Sequence, residues 1–419
     1  MTRPRVLAGV VFCALLANAL LGCANTLDSL GQDPDSNGGA DSGPAPPLGA
    51  LTGPASYPNA FRTLLGKSDV EISAKVEAAF AQLFHGDPIT QSIYLPVGTD
   101  RAYIQDVLHG DIRSEGIGVG MLVAVELDKR EEFDRLWTYA KASLEQRTGP
   151  AQGYFNSFCD DATPCLDPYG MQQFVTALLF ANDRWTSSAD APYASDARAL
   201  LDALKNKELE NGGATLGLTS VFDATTQLVR EQPTLDHAGY TRSSLEMPAA
   251  YELWAQASAD PFWRGAAAAG RAHLLAAADP MTGLWPMRSY FDGSAVKGSE
   301  VFSPQAYRTH LNLALDALWG TAGPNQTALA DRVLGFFTAQ GLDKYGATFT
   351  LDGITLDPNR EQGLIAVNGA LAVAASRANR AAFVNAVWTQ AIPSGDIRYY
   401  DGVLYLMSLL ILSGQFRVY

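Results

Sequence analysis

From residue 60 onward, apolar residues recur at spacings of three and four, and the runs break at Gly, Pro and Asp. That period is helical. It predicts helices over roughly 70–84, 115–146, 170–186, 193–206, 244–258, 261–277, 305–320, 326–340, 361–376, 380–390 and 400–413. Short turns such as ADPF and SRAN alternate with long connections such as GYFNSFCDDATPCLDPYG and YGATFTLDGITLDPNREQG. About eleven helices linked in this way read as stacked helical hairpins, an all-α fold. Hairpins closed into a ring would collect the long loops at one end, while an open α-solenoid is the other arrangement. No sequence repeats at a fixed period, which argues against a TPR or ankyrin array.

The region before residue 57 is different. Two arginines, an apolar run from Val6 to Leu21 and Gly22-Cys23 have the order and length of a secretory signal. The run is shorter than the roughly 20 residues a membrane span needs. Leu20-Leu21-Gly22-Cys23 resembles a bacterial lipobox, which would make Cys23 the lipidated first residue of a mature chain at the outer membrane or cell surface. Residues 24–58, including DPDSNGGADSGPAPPLG, have too little apolar surface to offset the entropy of ordering. The expected organisation is therefore a signal peptide over 1–22, a lipidated cysteine and flexible linker over 23–56, and one folded domain over 57–419.

Charge and cysteines narrow the partners. A formal net charge of −14 argues against nucleic acid or anionic lipid as a ligand, so membrane contact is expected only through the lipid. Cys159 and Cys165, in CDDATPC, read as a small disulfide loop formed after export. A metal site is the rival, but neither a second cysteine pair nor clustered histidines accompany them, and no cofactor is expected.

The sequence has no Gly-rich phosphate loop, HExxH helix or GxSxG elbow, and its five histidines are scattered. Carboxylate chemistry remains. Glu115, in HGDIRSEGIGVGM, opens a predicted helix; shielded from water with a raised pKa, it could protonate a leaving oxygen. An acid serving the helix dipole is the plainer alternative. Trp137, Trp185, Tyr307 and Tyr399 lie in or beside long connections, where aromatic faces could stack on sugar rings or simply pack helix ends.

From Tyr57 to Tyr419 the chain resembles glycoside hydrolase family eight, and within it the reducing-end xylose-releasing exo-oligoxylanases. The matching stretches include DIRSEGIGVGMLVAVELDKREEFDRLWTYAK, MPAAYELWA, DPMTGLWP, QGLIAVN, IPSGDIRYYDGVLYL and SGQFRVY. The resemblance implies an (α/α)6 barrel and inverting hydrolysis of β-1,4-linked glycans, with xylo-oligosaccharides favoured. It maps the general acid onto Glu115. Inversion needs a second carboxylate as base, about 6.5–9.5 Å away across the sugar. The family's base is the aspartate of an aromatic-D-A-aromatic-R segment, which reads SPQAYR here, so Gln305 stands in its place. An amide cannot accept a proton from water near neutral pH. A further family aspartate, in a P-D-G-E stretch, aligns with Tyr169, unless a shift of two residues brings in Asp167. Arg308, Arg398, Tyr399 and Asp401 are retained, and Glu246 stands where xylanase relatives tend to have histidine. The resemblance therefore implies a hydrolase with Glu115 as acid and a displaced base, Glu300 first, with Asp292, Glu361 and Asp167 behind it. A catalytically degenerate surface protein that binds glycan is the alternative.

Overall fold

The structure, a computed structural model, describes residues 48–158 and 164–419. Within these lie thirteen α-helices: α1 (Ala60–Leu65), α2 (Asp69–His85), α3 (Ser114–Glu126), α4 (Arg130–Ser143), α5 (Pro168–Trp185), α6 (Tyr193–Glu210), α7 (Pro248–Ser258), α8 (Pro261–Ala276), α9 (Pro304–Leu318), α10 (Pro324–Gln340), α11 (Gln362–Leu371), α12 (Arg380–Thr389) and α13 (Tyr400–Ser413). The strands are short: β1 (Tyr94–Val97), β2 (Arg101–Asp106), β3 (Asp111–Ile112), β4 (Asn156–Phe158), β5 (Pro164–Leu166), β6 (Tyr240–Thr241), β7 (Ser289–Tyr290), β8 (Val301–Phe302), β9 (Thr348–Thr350) and β10 (Thr355–Asp357). All pairings are antiparallel, and the strands sit in the long connections rather than forming a core sheet.

Helices α3, α5, α7, α9, α11 and α13 pack each on the next, and α13 packs back on α3. That last contact closes the ring, so the fold is an (α/α)6 barrel and not an open solenoid. The inner helices are buried almost all round, as in Asp401–Ser413 of α13 and Pro168–Ala181 of α5. They therefore read as nearly continuous apolar runs. Outer helices such as α4 and α8 bury one stripe and expose the rest.

Local chemistry sets where the inner helices begin. Pro168, Pro248 and Pro304 open α5, α7 and α9, where proline's fixed φ suits the first turn and its missing N–H costs nothing. Asp167 caps α5, accepting from the backbone N–H of Tyr169 at 3.0 Å and Gly170 at 3.2 Å. Helices α3 and α5 cross unusually closely. A Cβ on Gly170 would lie 2.7 Å from the backbone N of Glu115, and one on Gly118 would lie 2.7 Å from Cβ of Gln173. Glycine at both positions thus brings the start of α5 against Glu115.

Two expectations change. The predicted helix over 115–146 is two helices, α3 and α4, because Asp128 turns to φ 60° between them. The folded body also takes in the chain from Leu48 onward, ahead of the expected boundary at 57. There the N–H of Gly49 donates to Ala257 O at 2.7 Å, and that of Thr52 to Oε1 of Gln256 at 2.7 Å. Cys23 and Cys159 lie outside the described residues; Cys165 is disulfide-bonded. Among the described residues no helix is long and apolar enough to cross a membrane, and no cluster of three or more His, Cys, Asp or Glu could hold a metal.

Candidate active site

The N-terminal ends of α3, α5, α9 and α13 converge at one end of the barrel, and Glu115 lies where they meet. Arg308, in the second turn of α9, donates Nη1 to Oε2 of Glu115 at 2.6 Å. Tyr399, which precedes α13, donates its hydroxyl to Oε1 at 3.0 Å. The guanidinium of Arg308 also stacks on the Tyr169 ring, 3.9 Å from its centroid. Tyr400 donates its hydroxyl to Pro304 O at 2.5 Å, tying α13 to the first turn of α9. Glu115, Tyr169, Arg308, Tyr399 and Tyr400 rim a pocket whose floor includes Val119, Leu311 and Met407. The pocket itself is water-sized, and 16% of the Glu115 side chain is exposed.

The electrostatics run against a raised acid. Burial pushes the Glu115 carboxyl up, but the charge and hydrogen bond of Arg308, the charge of Arg113 and the Tyr399 hydroxyl hold it below the ordinary glutamate range. Glu115 is thus a carboxylate at neutral pH. Asp167 shifts the other way, pushed up by burial and by the Glu115 charge. Its contacts belong to the α5 cap and to Ser114, whose Oγ lies 3.3 Å from Oδ2. Of the residues rimming the pocket, only Glu115 carries a carboxylate.

The pattern describing Glycosyl hydrolases family 8 matches residues 104–414. The chain belongs to this family. The reducing-end xylose-releasing exo-oligoxylanase of Paenibacillus barcinonensis is 34% identical, over 87% of this chain and 97% of that one. The corresponding enzyme of Halalkalibacterium halodurans is 32% identical, over 87% and 94%. A family 8 protein of Teredinibacter turnerae, solved as a xylobiose complex, superposes with a TM-score of 0.80 at 34% identity, covering 87% of this chain and 98% of that one.

Against this family background, the structure sorts the residues expected at the site. Tyr169, Arg308 and Tyr399 surround Glu115. Gln305 is exposed on the first turn of α9, where its Oε1 accepts from the Ser303 hydroxyl at 2.6 Å. Glu300 is exposed in the preceding loop and accepts from the N–H of Gly298 at 2.6 Å; it does not line the pocket. Asp292 is likewise exposed and accepts from Ser294. Glu361 precedes α11, half-buried, and is pushed up by burial.

Three retained residues support the site rather than line it. Tyr307 donates its hydroxyl to Ala347 O at 2.6 Å. Arg398 spends its guanidinium on the carbonyls of Ser92, Gly395 and Pro88, at 3.0, 2.7 and 3.2 Å. Asp401 accepts from the backbone of Gly363 and Gln362, and burial with the nearby Glu361 charge pushes it up to about 6.

The two tryptophans expected as sugar platforms are not at the site. Trp137 is buried against Phe155 and Phe174, with Nε1 donating to Asp196 at 2.7 Å. Trp185 ends α5, at the opposite end of the barrel, and donates to Asp128 at 2.7 Å. Both sit on helix faces that pack, which a count of aromatics near loops does not distinguish from a platform. Glu246 also lies in the interior, accepting from the N–H of Val229 at 3.0 Å and from Thr241 at 3.2 Å. Arg113, whose charge acts on Glu115, was not expected at the site from the sequence, and Tyr400 adjoins the expected Tyr399. Both sit next to motif residues, in DIRSEG and RYYDG.

Proposed function

We propose that this protein binds β-1,4-linked xylo-oligosaccharides at the Glu115 end of the barrel and has lost efficient hydrolysis. The carrying observation is that, among the described residues, no carboxylate other than Glu115 lines the pocket. Inversion needs a second carboxylate as base, and the family resemblance puts the Gln305 amide at that position. What survives suits recognition: a carboxylate, a guanidinium and tyrosine hydroxyls, all held by contacts and able to meet sugar hydroxyls. The xylan preference follows the relatives, which are named for acting on xylo-oligosaccharides.

One observation favours the rival reading, an inverting hydrolase with Glu115 as acid and Glu300 as base. Glu300 is exposed and makes no salt bridge among the described residues, so a ligand could recruit it from its loop. Calorimetric titration with xylohexaose, paired with product analysis, separates the two for the wild type, Glu115→Gln and Glu300→Gln. Binding without turnover supports the binding protein. Turnover abolished by either substitution establishes the hydrolase, and absence of both binding and turnover removes the glycan reading altogether.

The same proposal includes export and a lipid on Cys23. The disulfide at Cys165 supports an oxidising compartment. Labelling with a clickable fatty acid should tag the wild type and miss Cys23→Ser, which should be released from membranes.

A further inference from the structure

A second polar cluster lies at the same end of the barrel, apart from Glu115. At its centre is Glu231, whose side chain is 1% exposed. Arg242 and Arg288 each donate Nε to the same Oε1 of Glu231, both at 2.6 Å. His237 places Nδ1 3.1 Å from Oε2, and the Tyr240 hydroxyl lies 3.1 Å from that same Nδ1. One buried carboxylate therefore holds two guanidinium ions, and its single charge can neutralise only one of them. Asp236 lies 3.5 Å from the other ring nitrogen of His237, but it is 78% exposed and its charge is screened by water.

The chain path locates the cluster. Arg242 belongs to the connection from α6 to α7, and Arg288 to that from α8 to α9. The β6–β7 pairing, Tyr240 opposite Tyr290, joins the two connections. Both run from the end of an outer helix to the start of an inner one, as does the loop that delivers Glu115. The residues after Arg288 lead through β8 into α9, which carries Arg308.

The arginines are built to receive something. In a guanidinium, Nη1 lies on the side away from the Nε–H, so donation of Nε to Glu231 turns the Nη1 edge elsewhere. Arg288 and Arg242 are 35% and 25% exposed, fixed at the Glu231 end and open at the other. A planar fork that is already immobilised loses little entropy on binding a second carboxylate, and the fit is bidentate. A neutral xylan backbone has no group that matches it; a uronic acid branch does.

We propose that Arg242 and Arg288 form a subsite for the carboxylate of a uronic acid branch on the glycan. This rests on the reading that a β-1,4-glycan occupies the Glu115 end. The test is calorimetric titration of the whole protein with neutral xylotetraose, with the same oligosaccharide carrying one glucuronic acid branch, and with free glucuronate. The branched ligand should bind about tenfold more tightly than the neutral one at low salt, an advantage that high salt reduces. Arg288→Gln should erase that advantage and leave the neutral affinity unchanged. Arg242→Lys, which keeps the charge and loses the fork, should reduce it. Equal wild-type affinity for branched and neutral ligands overturns the subsite while leaving the glycan reading standing. Free glucuronate bound as tightly as the branched ligand overturns the assignment to a branch, and failure of every ligand overturns both readings.

Discussion

Nη1 of Arg308 lies 2.6 Å from Oε2 of Glu115, joining residues 193 positions apart in the chain. This pair decides the protonation state of the one carboxylate on the pocket rim. Removing the arginine leaves a desolvated glutamate without its counter-ion. Arg308→Met should therefore destabilise the fold by about 3–5 kcal/mol at neutral pH, measured by urea denaturation.

The pH dependence of that variant should reverse in sign. In the wild type the folded pKa of Glu115 lies below its unfolded value, so its contribution is complete above the unfolded pKa and is lost as pH falls through the folded one. In Arg308→Met, burial acts without its main opponent and the folded pKa rises above the unfolded value. Stability should then fall as pH rises from about 4.3 toward 7, where this group leaves the wild type level. Denaturation midpoints across that range would show it, and parallel curves for the two proteins would refute the clamp.

Gln305→Asp supplies a carboxylate at the position to which the family resemblance maps the base. Hydrolysis of xylohexaose should rise by about 10²-fold over the wild type, with the newly formed reducing end inverted by NMR. A rate that stays at background would place the principal defect at the Glu115 clamp instead. The double variant Tyr169→Asp, Gln305→Asp then becomes the measurement to make, since an aspartate beneath Arg308 offers the guanidinium a second anion.

Glu246 has Oε2 buried without a partner, and burial pushes its pKa up to about 8. It is a neutral acid in the folded protein and a carboxylate in the unfolded chain above about pH 4.3. This raised pKa contributes stability below the unfolded value, and that contribution is lost as pH rises toward 8. Glu246→Gln keeps the shape and removes the titration. It should match the wild type near pH 4 and exceed it by several kcal/mol near pH 8, since each tenfold difference in proton affinity between folded and unfolded chain is worth about 1.4 kcal/mol. Equal slopes of stability against pH would exclude a neutral buried acid.

Gly170→Ala tests the close crossing of α3 and α5. Its Cβ would meet backbone atoms of Ser114 and Glu115, which cannot move aside as a side chain could. The substitution should cost about 1–3 kcal/mol and weaken glycan binding through displacement of Glu115. Gly212→Ala, with open space around its Cβ but a φ of 69°, controls for backbone strain alone and should leave binding intact.

The helices were legible because inner and outer faces impose their period on the sequence, and Pro168, Pro248 and Pro304 mark where inner helices start. The break at Asp128 was not legible, because Leu127-Asp128-Lys129 has no glycine or proline to announce a turn. Helix α1 is too short to show a period. Glu115 could be singled out from its setting, and the acid role expected of it came only through the family resemblance. The direction of its pKa could not be read, since that depends on Arg308 and Tyr399 arriving from distant helices. Trp137 and Trp185 misled for a related reason: an indole next to a loop has the same sequence whether it faces a sugar or a neighbouring helix.

Closure of the ring by α13 on α3 also constrains the order in which the molecule can be made. Residues beyond α13 bind the earliest parts of the domain: the N–H of Val418 donates to the Tyr57 hydroxyl at 2.9 Å, and that of Arg417 to Oε2 of Glu126 at 3.0 Å. A chain emerging from the ribosome lacks its final stave until the last residues appear, and the face of α3 that receives it stays uncovered. The nascent polypeptide cannot lock into the finished barrel during synthesis, which suits the proposed export of an unfolded chain through a membrane.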